Sequence, residues 1–351
     1  MMITTGDIDV RRQCRAGRIT LTRPAALNAL TYDMTMAIEN ALIAWRDDPE
    51  IALVLIDAQG DKAFCAGGDI QDLYETGRAG NFAFGKQFWR DEYRLNARIA
   101  NYPKPYIALM QGFVMGGGVG ISCHGSHRVV CSSSRIAMPE CGIGLVPDVG
   151  GSSLLAHAPG FAGEYLGLTG SRMDPADAIH AGFADSFIEQ AAWPELIDKL
   201  CATGDVRHLE SHATDPGPSS LAAMSETING HFALDTALDC VRSLEAENSE
   251  WAARTASTIR RACPISVACA FDLIRGARNA DSILQVLASE YRFTARCMEQ
   301  GEFLEGIRAA VIDKDRHPQW VQPDLEGITQ ERIGAMLSDL GPEELVFPED
   351  I

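Results

Sequence analysis

Two carboxylates, Glu140 and Asp148, stand in a run that is otherwise apolar and glycine-rich: Ala137-Met138-Pro139-Glu140-Cys141-Gly142-Ile143-Gly144-Leu145-Val146-Pro147-Asp148-Val149-Gly150-Gly151. Neither has a cation near it in sequence. A carboxylate in apolar surroundings resists ionisation, which makes it a candidate acid or base. Pro147 interrupts any continuous helix, so Glu140 is expected on a loop and Asp148 at the start of the next helix. A second reading gives Asp148 only the task of capping a helix that begins near Gly150. Spacing alone does not choose between them.

Two glycine turns offer the complementary chemistry. Ala63-Phe64-Cys65-Ala66-Gly67-Gly68-Asp69-Ile70 follows the apolar run Ile51–Ile56, and Gln111-Gly112-Phe113-Val114-Met115-Gly116-Gly117-Gly118-Val119-Gly120 follows Tyr106–Met110. A strand that passes through small residues into a helix leaves open backbone N–H donors at its turn. If both turns lie at the same edge of one sheet, two N–H groups can converge on one oxygen as an oxyanion hole. Singly, each of these segments is better explained by a tight turn or close helix–strand packing. Gly116–Gly120 is a poor dinucleotide fingerprint, because no acidic residue ends a second strand about 20 residues on.

The elements that must position these groups can be read from periodicity. Ile8, Val10, Ile19 and Leu21 alternate with polar residues around Arg15-Ala16-Gly17, which predicts a hairpin turning there. Met34, Ile38, Ala41, Leu42 and Trp45 share one helical face, with Thr31 placed to cap it. The runs 51–56 and 106–110 read as strands buried on both faces, and Val129-Val130 and Ile136–Met138 as two more. Strands alternating with helical patterns give an α/β core. Thr203–Ser220 reads as an exposed connector. Beyond it Leu221–Ile312 is helical throughout, including a helix through Met224, Ile228 and His231 and another over 280–298. The organisation expected is an α/β core over 1–203, a connector over 204–220 and a helical region over 221–351. No internal repeat is visible.

The chain has 351 residues, 46% hydrophobic and 22% charged, which fits an ordinary globular core and excludes dominant disorder. Asp plus Glu number 48 against 30 Lys plus Arg, a formal charge of −18. That balance argues against nucleic acid or a membrane as partner. Pro105–His127 has no charged residue, but its six glycines and polar Gln111, Ser122, His124 and Ser126 favour a buried strand, turn and helix start over a membrane span. The N-terminal segment has neither a secretory nor an Arg-rich import pattern. Ten cysteines without Cys-x-x-Cys spacing read as buried apolar residues in a reducing compartment, so a cytoplasmic location is expected. No metal site is expected: His124-x-x-His127 and His208-x-x-x-His212 lack a third ligand. The absence of Gly-x-Ser-x-Gly disfavours a serine esterase.

With Asn28-Ala29-Leu30, the AFCAGGDI and GFVMGGGVG turns and the MPE…GL-P-DVGG segment, the chain resembles the crotonase, or enoyl-CoA hydratase/isomerase, superfamily. Arg90-Asp91-Glu92-Tyr93, His124-Gly125, Pro147–Gly151 and Ile312-Asp313-Lys314-Asp315 with Pro318 and Trp320 make it most similar to the 3-hydroxyisobutyryl-CoA hydrolase branch. The similarity spans roughly residues 7–328. It implies a crotonase-like ββα superhelix, two near-perpendicular sheets wrapped by helices, with a C-terminal helical region. It also implies an acyl-CoA substrate, no separate cofactor, and a homo-oligomer, either trimer or dimer.

By the same resemblance, Gly68 and Gly117 supply the oxyanion N–H groups and CoA lies against Ala66, Gly67 and Asp69. Hydratases carry two catalytic glutamates. The second matches Glu140, whereas the first would fall at Gly120. The hydrolase pattern pairs Glu140 with Asp148 and adds Glu92 in the acyl pocket. The implied reaction is thioester hydrolysis of 3-hydroxyisobutyryl-CoA in valine breakdown, with Glu140 as nucleophile or general base. An enoyl-CoA hydratase or isomerase, and a non-catalytic acyl-CoA-binding protein, stay open. Arg23 and Lys62 flank the relevant loops and are candidates for the CoA phosphates.

Overall fold

The computed structural model describes residues 3–351. Among the described residues ten strands form two sheets. The larger contains β1 (Ile3–Thr5), β2 (Ile8–Gln13), β3 (Ala16–Leu21), β4 (Leu53–Ala58), β6 (Tyr106–Met110), β8 (His127–Val130) and β10 (Ser186–Phe187), in the order β1-β2-β3-β4-β6-β8-β10. The first three strands are antiparallel and the rest run parallel. The smaller sheet is parallel and contains β5 (Ala63–Cys65), β7 (Phe113–Met115) and β9 (Arg135–Ala137).

The chain therefore crosses from the large sheet to the small one three times: β4 to β5, β6 to β7 and β8 to β9. After the crossings come α2 (Gln71–Arg78) with α3 (Phe82–Ala100), then α4 (Gly117–Gly120), then a short 3-10 turn over Glu140–Ile143. This ββα repeat left no trace in the sequence, because the units share geometry and not side chains. Both glycine turns were expected to follow large-sheet strands directly. They instead follow β5 and β7, whose three-residue strands are too short for a period-2 signal.

Central strands are buried on both faces, as their continuous apolar runs require. Leu53, Leu55, Ile107, Leu109 and Val129 face the Trp193–Thr203 helix. Val54, Ile56, Ala108, Met110 and Val130 face the main core. The N-terminal hairpin forms with Ile8 opposite Leu21 and Val10 opposite Ile19, but it turns at Cys14-Arg15. Ala16 and Gly17, predicted in the turn, are the first residues of β3. Cys14 takes the left-handed conformation (φ +51°) and is exposed, unlike the other nine cysteines. Thr31 caps α1 (Tyr32–Arg46) by accepting a 3.2 Å hydrogen bond from Met34 N. Among the described residues no strand follows β10. The short Arg207–Glu210 helix lies within the segment read as a connector. Further on, the Pro264–Ala277 helix packs on α5 (Gly151–His157), and the Ile283–Cys297 helix packs on α3 and α5.

Candidate active site

The parallel small sheet brings the three chemical segments together, because each of them leaves the same end of a small-sheet strand. β5 leads into Ala66–Ile70, β7 into Gly116–Gly117 and β9 into Pro139–Glu140. Asn28 anchors the first turn from below. It is fully buried, and its amide donates to the carbonyls of Gln59 and Ala63 at 2.9 Å. Leu30 N donates to Gly67 O, Asp69 N to Leu30 O and Ala66 N to Leu27 O.

Gly68 N donates to no group of the chain among the described residues, and neither does Gly117 N. The two donors approach each other so closely that a Cβ placed on Gly117 would lie 3.3 Å from Gly68 N. Gly116 makes this possible with φ +49° and ψ −119°, a conformation closed to L residues. A Cβ there would also meet Glu140 Oε1 at 2.8 Å. Two free N–H groups beside a carboxylate are the parts of an acyl-transfer site.

Glu140, Asp148 and Glu92 all line one cavity of about 120 Å3 together with Gly68 and Gly117. The three carboxylates are 4%, 4% and 3% exposed, and among the described residues no Lys, Arg or His lines the cavity. Burial, then the neighbouring Asp148 charge, pushes Glu140 and Glu92 well above the usual carboxylate range. Burial likewise pushes Asp148 up, but Tyr93 donates its hydroxyl to Oδ2 at 2.7 Å and holds the value at about 7. Asp148 is thus the readiest of the three to ionise. Glu140 Oε2 is buried and has no partner, which leaves it free for a substrate or water. A volume of 120 Å3 is well below the roughly 300–1,000 Å3 of a whole-ligand pocket and suits a short acyl group.

The helix-cap reading of Asp148 does not hold. Its side chain bonds Tyr93, while the N–H groups at the start of α5 go elsewhere. Glu290, fully buried on the Ile283–Cys297 helix, accepts from Gly150 N at 2.7 Å, from Ser152 N at 3.0 Å and from Ser152 Oγ. Burial raises its own pKa to about 8 against those bonds. His124 Nε2 meets Val149 O at 2.7 Å. Since burial lowers that imidazole to about 4, it is neutral and donates there. Val149 itself is held at φ +53°. Tyr93, Glu290 and His124 therefore fix the loop that presents Asp148. Sequence reasoning missed these roles, since the partners lie 25 to 140 residues away.

Position 120 has no room for a second carboxylate. A Cβ on Gly120 would lie 2.7 Å from Asn96 Nδ2 and 2.8 Å from Val149 Cβ. Asn96 is fully buried, one turn beyond Glu92 on α3, and both its side-chain polar atoms lack a partner.

The remaining candidates lie around the cavity mouth. Ala66 and Gly67 line it. Asp69 is engaged by Arg23, whose guanidinium reaches Oδ2 at 3.0 Å and Ala29 O at 2.7 Å. Arg23 also approaches Asp7 at 3.5 Å, so much of its charge is already matched. Lys62 is exposed and has no side-chain partner among the described residues. His127 bonds Ser126, and His212 bonds the His208 carbonyl, so neither histidine pair converges on a common point.

Comparison with known proteins identifies the family. The enoyl-CoA hydratase/isomerase family model matches residues 16–337. A mitochondrial 3-hydroxyisobutyryl-CoA hydrolase of Xenopus tropicalis is 39% identical, covering 94% of this chain and 88% of its own. The human protein of that name is 36% identical over the same shares. A solved structure called an enoyl-CoA hydratase, from Rhodobacter sphaeroides, is 51% identical with a TM-score of 0.93, covering 97% of this chain and 100% of its own. Another, called a carnitinyl-CoA dehydratase, from Mycobacterium thermoresistibile, is 37% identical with a TM-score of 0.94, covering 98% and 100%. The fold, the paired glycine turns and near full-length similarity together place the chain in the enoyl-CoA hydratase/isomerase family.

Proposed function

We propose that this protein is a thioesterase that hydrolyses a short, branched β-hydroxyacyl-CoA, with 3-hydroxyisobutyryl-CoA the preferred substrate. The observation that carries this reading is the carboxylate set: Glu140 and Asp148 share one cavity beside the Gly68 and Gly117 donors, while Asn96 and Val149 fill the space a second hydratase glutamate would need. The thioester oxygen accepts from Gly68 N and Gly117 N, which stabilises the developing oxyanion by about 3–4 kcal/mol per donor.

Two routes then break the C–S bond. Glu140 takes a proton from water as hydroxide adds to the carbonyl, and returns it to the departing CoA thiolate. Alternatively, the Glu140 carboxylate adds to the carbonyl, CoA leaves as thiolate, and water hydrolyses the resulting anhydride. Asp148, its pKa held near 7 by Tyr93, accepts a hydrogen bond from the substrate hydroxyl or donates one to it, and assists proton transfer at the thioester. Glu92 shapes the acyl end beside Gly117. The Ala66–Gly67 edge of the cavity accommodates the CoA arm, and an unpaired Lys62 meets its phosphates more readily than Arg23 does. Residence where branched-chain acids are degraded follows from the substrate. The relatives' names place those proteins in mitochondria.

A second reading, hydration of an enoyl-CoA, is favoured by the names given to the two similar solved structures. Following thiol release and enoyl absorbance over a panel of CoA esters separates the two. Thiol release from 3-hydroxyisobutyryl-CoA, with crotonyl-CoA unchanged, is the expected result. Loss of enoyl absorbance without free thiol would establish hydration instead.

A further inference from the structure

A second cavity, of about 560 Å3, adjoins the catalytic one. The two share Pro139: the segment Pro139–Gly142 carries Glu140 into the catalytic cavity and turns Cys141 and Gly142 toward the other. Three arginines line this groove, Arg172, Arg261 and Arg316, and no carboxylate does. In a chain of net charge −18 whose arginines mostly end in ion pairs, none of these three forms one among the described residues. Arg172 lies over the Phe113 ring, 5.0 Å from its centroid, and Arg261 reaches only hydroxyls of its own helix, Ser257 and Thr258.

The backbone of Arg316 is fixed at the end of the Ile312-Asp313-Lys314-Asp315 segment, a strap that the catalytic chemistry leaves unused. Arg308 gathers Asp313 at 2.6 Å, Asp315 at 2.7 Å and His317 O at 3.1 Å. Arg316 N donates to Ala309 O, and Lys314 and Arg316 both sit at φ +57°. Trp320 Nε1 ties the end of the strap to the carbonyl of Arg261. Non-glycine residues in the left-handed region persist only where surrounding contacts enforce them, and they concentrate at functional sites.

We propose that this groove binds a small phosphate-bearing anion. Its phosphate is gripped by Arg172, Arg261 and Arg316, and its apolar body lies against Leu168, Ala309 and Pro318. Arg172, Arg261 and Arg316 are solvent-exposed. Guanidinium forks match phosphate oxygens geometrically, and the multiple charge of a phosphate monoester complements a rim of three cations that carries no carboxylate among the described residues. A 560 Å3 volume is in the ligand range and admits a mononucleotide.

The test is calorimetric titration of the full chain with ATP, with inorganic pyrophosphate and with acetate, each with and without saturating CoA. Binding of ATP or pyrophosphate that CoA does not displace is expected. ATP tighter than pyrophosphate means that the apolar wall is used, and equal affinities mean that the phosphates alone are read. Each of Arg172→Gln, Arg261→Gln and Arg316→Gln should weaken binding about tenfold. Ala310→Glu, which adds a carboxylate to the groove, should abolish it, and thiol release should persist in all four variants. Absence of binding by wild type, displacement by CoA, equal binding of acetate, or full affinity in an Arg172→Gln/Arg316→Gln double variant would each overturn the proposal.

Discussion

Replacing Asp148 with Asn should make the protein more stable and less active, and the stability gain should depend on pH in a defined way. Burial moves the Asp148 carboxyl from 3.8 to about 7 in the folded chain. The folded state therefore holds a proton that the unfolded chain has released. A raised carboxyl pKa contributes full stability below the unfolded value and loses it as pH climbs through the folded value. At about 1.36 kcal/mol per unit, the ionised side chain costs the native state up to ~4 kcal/mol by pH 8. Asparagine keeps the shape, can still accept the Tyr93 hydroxyl, and carries no charge at any pH. The difference between variant and wild type should be near zero around pH 4, grow through pH 5 and 6, and level off above pH 7. Urea unfolding at each pH, on the same preparations used for thiol release, measures it. Hydrolysis of hydroxyacyl-CoA esters should fall more than hydrolysis of an ester without the hydroxyl. A variant equally stable relative to wild type from pH 5 to 8, or destabilised at pH 8, would refute the account of Asp148 as a strained buried acid. Equal losses on both esters would refute its contact with the hydroxyl.

The same geometry makes further predictions. Glu140→Gln should lower thiol release about 10²-fold or more while CoA-ester binding, read by calorimetry, stays close to wild type. Glu290→Ala strips the acceptor from Gly150 N, Ser152 N and Ser152 Oγ, so it should cost about 3 kcal/mol or more in denaturant unfolding and slow turnover by loosening the Asp148 loop. Gly120→Glu should not create a hydratase, because the new side chain collides with Asn96 and Val149; reduced stability and no gain in crotonyl-CoA hydration are expected. Wild-type kcat/KM should rise with pH across neutrality as the carboxyl set loses its protons, Asp148 first. A flat profile from pH 5.5 to 8.5 would show that no buried carboxylate must ionise.

What the sequence disclosed, and what it withheld, follows the range of the interactions. The strand Tyr106–Met110, the cap at Thr31 and the unusual setting of Glu140 and Asp148 are all local properties. Composition within ten or fifteen residues reports them. Of the small sheet, which aligns Gly68, Gly117 and Glu140, only the strand read at Ile136–Met138 was legible; β5 and β7 escaped notice because three residues cannot show alternation. The hairpin turn was displaced by two residues because Gly17 belongs to β3 opposite Arg12, where its missing side chain makes room for Trp45. Hardest of all were the supports of Asp148. Glu290 reads as one more polar residue on an amphipathic helix, and only the fold reveals that it is fully buried against the start of α5.

Four carboxylic acids, Glu92, Glu140, Asp148 and Glu290, are buried in and beside one short cavity, and none forms an ion pair among the described residues. Such a cluster survives only by staying largely protonated, which is what the raised pKa values describe. The reacting part of a β-hydroxyacyl thioester is neutral, so a neutral pocket admits it at no electrostatic cost, and protonated acids can donate to its hydroxyl. The difficulty is transferred to the moment of reaction, when one carboxylate must carry charge. In the proposed mechanism Tyr93 answers it by holding the Asp148 pKa near 7, and the unpaired N–H groups of Gly68 and Gly117 would receive the charge on the thioester oxygen. With Gly120 closed off by Asn96, water delivery to a double bond loses its second carboxylate, and the acid opposite Glu140 is supplied from position 148. That relocation is the physical reason for assigning this site to C–S cleavage instead of hydration.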